Sequence, residues 1–286
     1  MFMLQPAFHI AAGNIETENF DVCRLVMLID AESMSYVVFN NNTNQAVCIK
    51  YFHFSKIKEA EHFEAVREIL SVDEILSKVG GDSFLIYGFP ESTLVPDEYF
   101  DEGLDKELTT IMHGNLEKGF VFNEKVPWWD IHNVYSIPLE IQKLFHNQFD
   151  FAGHFHHYSL LLKSHKKFNA AELRENIYVI FYEEKIIVSV YKKNQLQLMQ
   201  RFEYTTLEDV LYYLLNCCEL LDMNREELDM QLSGFIEEES ELCKAIMKYF
   251  PNTFFEEVGD GVQLTNELKV FPLHYFSSLL KLASCV

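Results

Sequence analysis

The sequence predicts an α/β protein of two similar halves, each a mixed five-stranded sheet with flanking helices, facing each other across a central cleft. Three observations predict it. Leu25–Asp30 (LVMLID) leads through Ala31-Glu32-Ser33 into Tyr36–Phe39 and Ala46–Phe54, and Ile177–Tyr182 (IYVIFY) leads through Glu183-Glu184-Lys185 into Ile187–Tyr191 and Leu196–Tyr204, so that Asp30 falls on Tyr182. After a helical stretch, each half offers a strand ending in Gly-Phe, at Gly88-Phe89 and Gly234-Phe235. Each half also has an apolar-Pro-Leu helix opening, Ile137-Pro138-Leu139 and Phe271-Pro272-Leu273. The implied order is βββαβαβα, twice.

Taken in order, residues 1–20 read as an irregular lead-in. Leu25–Ile29 is a continuous apolar run of strand length, as a strand buried on both faces requires. Ser35–Phe39 and Ala46–Phe54 are rich in aromatic and β-branched residues, and the Asn40–Asn44 run between them is turn chemistry. Glu59–Lys78 places Phe63, Val66, Ile69, Leu70, Ile75 and Leu76 at helical spacing, and Gly80-Gly81 stops it. Ser83–Tyr87 reads as a strand, and Pro96–Glu117 as one or two helices with Leu104, Leu108, Ile111 and Met112 on one face. Gly119–Phe122 reads as a strand, Pro138–Phe149 as a helix opened by its proline, and Phe151–Lys167 as a helix leading into the second half. There the order repeats: strands at Ile177–Tyr182, Lys185–Tyr191 and Gln195–Tyr204, a helix at Leu207–Leu221, a strand at Asp229–Ser233, a helix near Glu238–Tyr249, a strand at Thr253–Glu257 and a helix at Pro272–Ala283. The expected division is 1–150 and 151–286, joined by a packed connection because no Gly/Ser/Pro-rich linker occurs.

At 286 residues the chain suits about two domains of ~150 residues. Apolar residues make up 49% and aromatic residues 14%, so a core can form without staples. Lys and Arg number 23 against 44 Asp and Glu, a net charge of −21 that repels nucleic-acid phosphates and anionic lipid. The expectation is an acidic cytoplasmic protein without nucleic-acid partners, its acidic surface a docking face for a basic partner at most. None of the six cysteines sits in a C-x-x-C pair, which argues against a disulfide framework or a zinc site. Met1–Gly13 lacks the basic start of a signal peptide. No run approaches the ~18 apolar residues of a membrane span.

Other constellations have structural explanations. In Gly153–Tyr158, His154 and His157 on a helix would share a face at i, i+3 and could hold a metal, with Asp150 or His146 a turn or more away. Trp128-Trp129-Asp130 after Pro127 reads as a loop anchored by buried rings, and Glu183-Glu184 as a charged hairpin tip. Glu237-Glu238-Glu239 complements a helix N-terminus. Nucleophile-elbow, Walker and dinucleotide motifs are missing.

The repeated hairpin-opened halves, with their paired Gly-Phe and Pro-Leu landmarks, resemble the actin-like (ribonuclease H-like) ATPase fold shared by actin, sugar kinases and the seventy-kilodalton heat-shock chaperones. The resemblance runs from about Leu25 to Ala283. Without large inserted subdomains, the halves are similar to the actin-like proteins of type IV pilus and type II secretion platforms. They are closer still to an uncharacterised bacterial family, a domain of unknown function assigned an actin-like ATPase fold.

That resemblance implies a nucleotide position between the halves, touched by both hairpin turns and the Gly-containing loop of the second half. Each turn of an active member carries an Asp for hydrated Mg²⁺ and small residues whose N–H groups approach phosphate. Here the first turn keeps Asp30, with Ser33 and Ser35 nearby, but lacks Gly. The second, Tyr182-Glu183-Glu184-Lys185, lacks both Asp and Gly and puts carboxylates where polyphosphate would approach. Like charges at ~4 Å repel by about 4 kcal/mol at an effective dielectric of ~20. The adenosine-side loop has one glycine, Gly234, followed by Phe235. The expected function is therefore a noncatalytic actin-like scaffold or regulator working through protein contacts, with no cofactor. The alternative is a divergent ATP-binding protein or small-molecule kinase, using Asp30 for Mg²⁺, Ser33 and Ser35 near phosphate, and Gly234-Phe235 against the base.

Overall fold

The structure, a computed structural model, describes residues 5–54, 57–58, 61–114, 119–168, 175–259 and 261–286. The chain divides into two compact units: Met1–Lys167 with Gly261–Val270 and Leu282–Val286, and Phe168–Asp260 with Phe271–Lys281. In chain order the first unit contributes β1 (Phe8–Ala11), β2 (Cys23–Ile29), β3 (Ser33–Asn40), β4 (Gln45–His53), α1 (His62–Val72), β5 (Ser83–Tyr87), β6 (Ser92–Pro96), α2 (Asp105–His113), β7 (Gly119–Val126), β8 (Ile131–Pro138), α3 (Leu139–Gln148), β9 (Gly153–His156) and α4 (His157–Phe168). Next come β10 (Asn176–Phe181), β11 (Lys185–Lys192), β12 (Gln195–Glu203), α5 (Leu207–Leu220), β13 (Asp229–Gly234), α6 (Glu241–Tyr249) and β14 (Thr253–Phe255). β15 (Gln263–Leu264) returns to the first unit, and α7 (His274–Ala283) closes the chain.

The same topology occurs in both units. The order β4-β3-β2-β5-β9 in the first matches β12-β11-β10-β13-β14 in the second. In each, the three hairpin-linked strands are antiparallel and the last two join in parallel. Parallel joints need a covering crossover, and α1 and α5 supply the first of them. Even the irregularities correspond: the ladder slips at Val38/Phe39 in β3 and at Val190/Tyr191 in β11.

Apolar runs explain the centre of each sheet. Met27, Tyr36 and Leu85 pack with Val66 and Ile69 of α1 and with Ile141 and Phe145 of α3. In the second unit Val179, Val188 and Leu232 meet Val210 and Leu214 of α5 and Cys243 and Ile246 of α6. A capping box at Thr206 and Asp209 starts α5 by satisfying N–H groups that the helix itself cannot. Among the described residues no helix is long and apolar enough to cross a membrane.

Several expectations are corrected, chiefly in the first unit. The second sheet has its five strands, but the first has seven, because β1 from the lead-in and β15 both pair with β4. A separate antiparallel sheet, β6-β8-β7, is inserted between β5 and β9, and Gly119–Phe122 belongs to it. Phe151–Lys167 is not one helix: β9 pairs with β5 first, and α4 follows. The first unit's sheet is therefore completed beyond residue 150. Pro138 opens a helix before the fifth strand of its half, whereas Pro272 precedes one after it, so the Pro-Leu landmarks are not equivalent. The Gly-Phe landmarks are out of step by one residue: Ile29 pairs with Tyr87, but its counterpart Phe181 pairs with Gly234. Structurally, Gly234 takes the place of Tyr87.

The helix expected over Glu59–Lys78 spans only His62–Val72, while Glu59 and Ala60 lie outside the described residues. It ends because Asp73 leaves helical geometry (φ −75°, ψ 108°), and its carboxylate Oδ1 accepts from Ile75 N (3.0 Å) and Leu76 N (3.4 Å).

Candidate functional site

The first hairpin turn links β2 to β3 through Asp30, Ala31 and Glu32. Asp30 N donates to Ser33 O (3.0 Å), which closes the turn, and Phe54 N donates to Glu32 O (2.8 Å), tying its tip to the end of β4. The Asp30 carboxylate is buried and folded back on its own loop: Oδ1 accepts from Glu32 N at 2.7 Å and from Ser33 N at 2.8 Å. An aspartate two and three residues ahead of such N–H groups is a favoured local acceptor. Ser33 and Ser35 are buried on β3, paired with His53 and Tyr51 of β4. They lie on the face opposite Met34 and Tyr36, which join the core beneath α1.

The second turn copies the backbone and changes the chemistry. Tyr182 N donates to Lys185 O (2.9 Å) and Tyr204 N to Glu184 O (3.0 Å), the same pair of bonds as in the first turn. In place of Asp30 stands Tyr182, whose carbonyl accepts from the Tyr204 hydroxyl at 2.8 Å. Glu183 and Glu184 are exposed. Burial, helped by these two carboxylates, pushes the Tyr204 phenol up, which keeps it a donor. The Lys185 ammonium lies 5.2 Å from the Tyr182 ring centroid in a buried side chain.

Gly234 ends β13 with φ +80°, and a Cβ there would stand 2.0 Å from Phe181 O. Close backbone approach thus requires this glycine, as Phe235 N donates to Phe181 O at 2.9 Å. The Phe235 ring meets Tyr275 and Phe276 edge-on, at 5.9 and 6.3 Å between centroids. The structure thus brings Asp30 and Ser33 together in the first unit, with Ser35 farther along β3. In the second, Glu183 lies just beyond the end of β10, and Gly234-Phe235 lie at the end of the neighbouring strand β13.

A family model described as "Protein of unknown function (DUF3822)" matches residues 12–253. The chain belongs to the DUF3822 family. Among solved structures, a Bacteroides thetaiotaomicron protein described as having an actin-like ATPase fold and unknown function is similar, with 16% identity, TM-score 0.73, 92% of this chain covered and 96% of that one. The type IV pilus biogenesis complex PilM-PilN offers a second similar chain, with 11% identity, TM-score 0.60, 91% of this chain covered and 97% of that one. No match was found among curated proteins. The DUF3822 chain therefore has the actin-like ATPase fold.

The remaining candidate groups of this DUF3822 protein separate in space. His154 is on β9, stacked on Tyr87 at 6.1 Å, while His157 begins α4, so the shared helical face expected of them does not form. Among the described residues no three His, Cys, Asp or Glu side chains are grouped to hold a metal. Trp128 is not a buried anchor: it sits 64% exposed at the β7–β8 tip with φ +69°. Trp129 does anchor, donating from Nε1 to Leu162 O at 3.0 Å. Burial pushes the Cys48 thiol up to about 12 and those of Cys23 and Cys218 to about 11, which removes their nucleophilic thiolates at neutral pH.

Two polar clusters escaped sequence reasoning. One is the buried Lys50–Asp73 ion pair beneath α1, at 2.8 Å. Its signal was a lysine in register with inward-facing Cys48 and Phe52 on β4. The other is Glu124 of β7, whose Oε1 accepts from His156 N at 2.8 Å. Burial lifts its carboxyl from 4.5 to about 7 despite opposing bonds from Ser159 and His156 N. The His156 imidazole is driven down to about 3, chiefly by burial, and is neutral. Because the folded pKa of Glu124 is raised, its contribution to stability is complete below pH 4.5, is lost as pH rises to about 7, and changes no further above. Glu124→Gln should remove that slope and stabilise the unit at pH 8 by about 2 kcal/mol. The gain should shrink toward pH 5. Denaturation midpoints from pH 5 to pH 8 check it.

Proposed function

We propose that this chain is a noncatalytic actin-like scaffold or regulator that acts through protein contacts, both halves descending from one duplicated unit. The observation that carries the reading is the capture of the Glu32 and Ser33 amides by the Asp30 carboxylate. A loop whose Glu32 and Ser33 N–H groups are already bonded, and whose acid has Oδ1 engaged in bonding them, offers less to phosphate or Mg²⁺. The exposed Glu183 and Glu184 add repulsion on the second turn.

Surface composition supports the protein-contact half of the proposal. The apolar face expected on α2 is left in solvent, with Ile111 79% and Met112 57% exposed, and Tyr99 and Trp128 of the same inserted region are exposed too. Large exposed apolar groups are a mark of interaction surfaces where they form a contiguous patch, and this inserted region carries the four just named. The similarity to a chain from a complex described as a type IV pilus biogenesis assembly points the same way.

The test compares wild type, Asp30→Ala and Asp30→Asn by thermal denaturation, each with and without Mg-ATP. Asp30→Ala should destabilise by about 1–3 kcal/mol, since it leaves amides unbonded. Asp30→Asn keeps an acceptor oxygen and should melt close to wild type. Mg-ATP should move none of the three midpoints. A midpoint that Mg-ATP raises in wild type and not in Asp30→Asn would make Asp30 a Mg²⁺ ligand and the chain a nucleotide binder.

A further inference from the structure

The first unit contains a cavity of about 500 Å³ that the scaffold reading does not use. It is lined by His9 and Lys50, cross-strand neighbours on β1 and β4, and Lys50 is in turn the neighbour of Tyr36 on β3. Small-molecule sites fall in the range of about 300–1,000 Å³, mostly apolar with a few convergent polar groups. This one has Ile15, Phe20, Phe52 and Val72 in its wall, with Glu16, Lys50, Glu68 and Asp73 among its charged groups.

The charges set the ligand. Lys50 is matched by Asp73 at 2.8 Å, and Asp73 also accepts from the Tyr36 hydroxyl at 2.9 Å through both oxygens. Lys78 stands 3.9 Å from Glu74. Partial burial and the neighbouring Lys50 push the His9 imidazole down. That leaves Glu16 and Glu68 of the lining without a cation. Glu68 Oε1 is buried with no hydrogen-bond partner among the described residues. A buried carboxylate oxygen lacking a donor is costly, and a cation seated nearby lowers that cost. An anion would meet two unmatched carboxylates, and Lys50 could bind it only by leaving Asp73.

We propose that this cavity is a binding site for a small organic cation, an amine or guanidine on an apolar body, with the Glu16 and Glu68 carboxylates attracting the cationic head and Phe20, Phe52 and Val72 enclosing the body. The site is independent of whether either hairpin turn binds nucleotide.

Three indole probes of similar length separate charge from shape: tryptamine (cation), tryptophol (neutral) and indole-3-propionate (anion). Each is titrated into the full chain and followed by calorimetry and by changes in the amide spectrum. Tryptamine should saturate at one site, perturbing residues around Glu68 and Lys50. Tryptophol should bind about tenfold or more weakly, the loss expected when attraction to a nearby carboxylate is removed, and indole-3-propionate more weakly still. Glu68→Gln should weaken tryptamine about tenfold and leave tryptophol nearly unchanged. Because the charge series is read on wild type, the proposal stays testable if that variant folds poorly. Absence of saturable tryptamine binding, equal binding of all three probes, or preference for the anion would overturn it.

Discussion

Asp73→Ala should lower stability by about 3–5 kcal/mol, the cost of breaking a buried ion pair from one side. The carboxylate has four roles, and alanine ends all of them. It pairs with Lys50 at 2.8 Å, accepts the Tyr36 hydroxyl, and caps Ile75 N and Leu76 N where α1 stops. The lysine side chain is only 11% exposed, so its ammonium would be stranded over the Tyr36 ring, 5.8 Å from the centroid. Burial and the adjacent Asp73 push the Tyr36 phenol far up, so it stays a donor and would lose its acceptor. The double variant Asp73→Ala with Lys50→Met should recover much of the loss, because it removes the uncompensated charge. Chemical denaturation of both variants reads this. A double variant no better than Asp73→Ala would mean that the capping bonds, rather than the ion pair, hold this corner.

Gly234→Ala should cost about 3 kcal/mol or more, combining backbone strain at positive φ with a collision that cannot relax. The added Cβ would sit 2.0 Å from Phe181 O, 2.8 Å from Phe181 N and 2.9 Å from Phe181 C, all backbone of the adjacent strand. Gly88→Ala is the control. There the nearest atoms are Asp30 Cβ at 3.1 Å and Leu28 Cδ1 at 3.4 Å, contacts about 1 Å longer than at Gly234 that need only a few tenths of an ångström of adjustment. A loss of about 1 kcal/mol or less is expected. Equal costs at the two glycines would contradict the assignment of Gly234 to a packing constraint. The comparison matters for function too, because close strand packing explains Gly234 without any adenosine.

How much was legible in the sequence follows from how each signal is encoded. The hairpin strands could be read because burial on both faces demands unbroken apolar runs, as in Leu25–Ile29 and Ile177–Phe181. The inserted β6-β8-β7 sheet was hidden because Asn123-Glu124-Lys125 and His132-Asn133 interrupt its alternation. Asn133 and Glu124 are polar for interior bonding, to Ser92, Ser159 and His156, and not for exposure. The strand β9 spans four residues, and its last three, His154, Phe155 and His156, all carry rings, which mimicked a helical face. The paired Gly-Phe landmarks misled by one residue, since a glycine forced by backbone contact and one beside the Asp30 side chain look identical in sequence. At the site, the turns were located from sequence, but the atoms that fill them were not. That Asp30 bonds its own loop, and that Lys50 finds a partner 23 residues away, are tertiary facts.

The central claim is that the actin-like fold here has lost its hold on polyphosphate. The most direct measurement is a calorimetric titration of the full chain with Mg-ATP at low ionic strength, where electrostatic binding is strongest. The account predicts no saturable heat up to millimolar nucleotide. A one-site isotherm with a micromolar dissociation constant would contradict it.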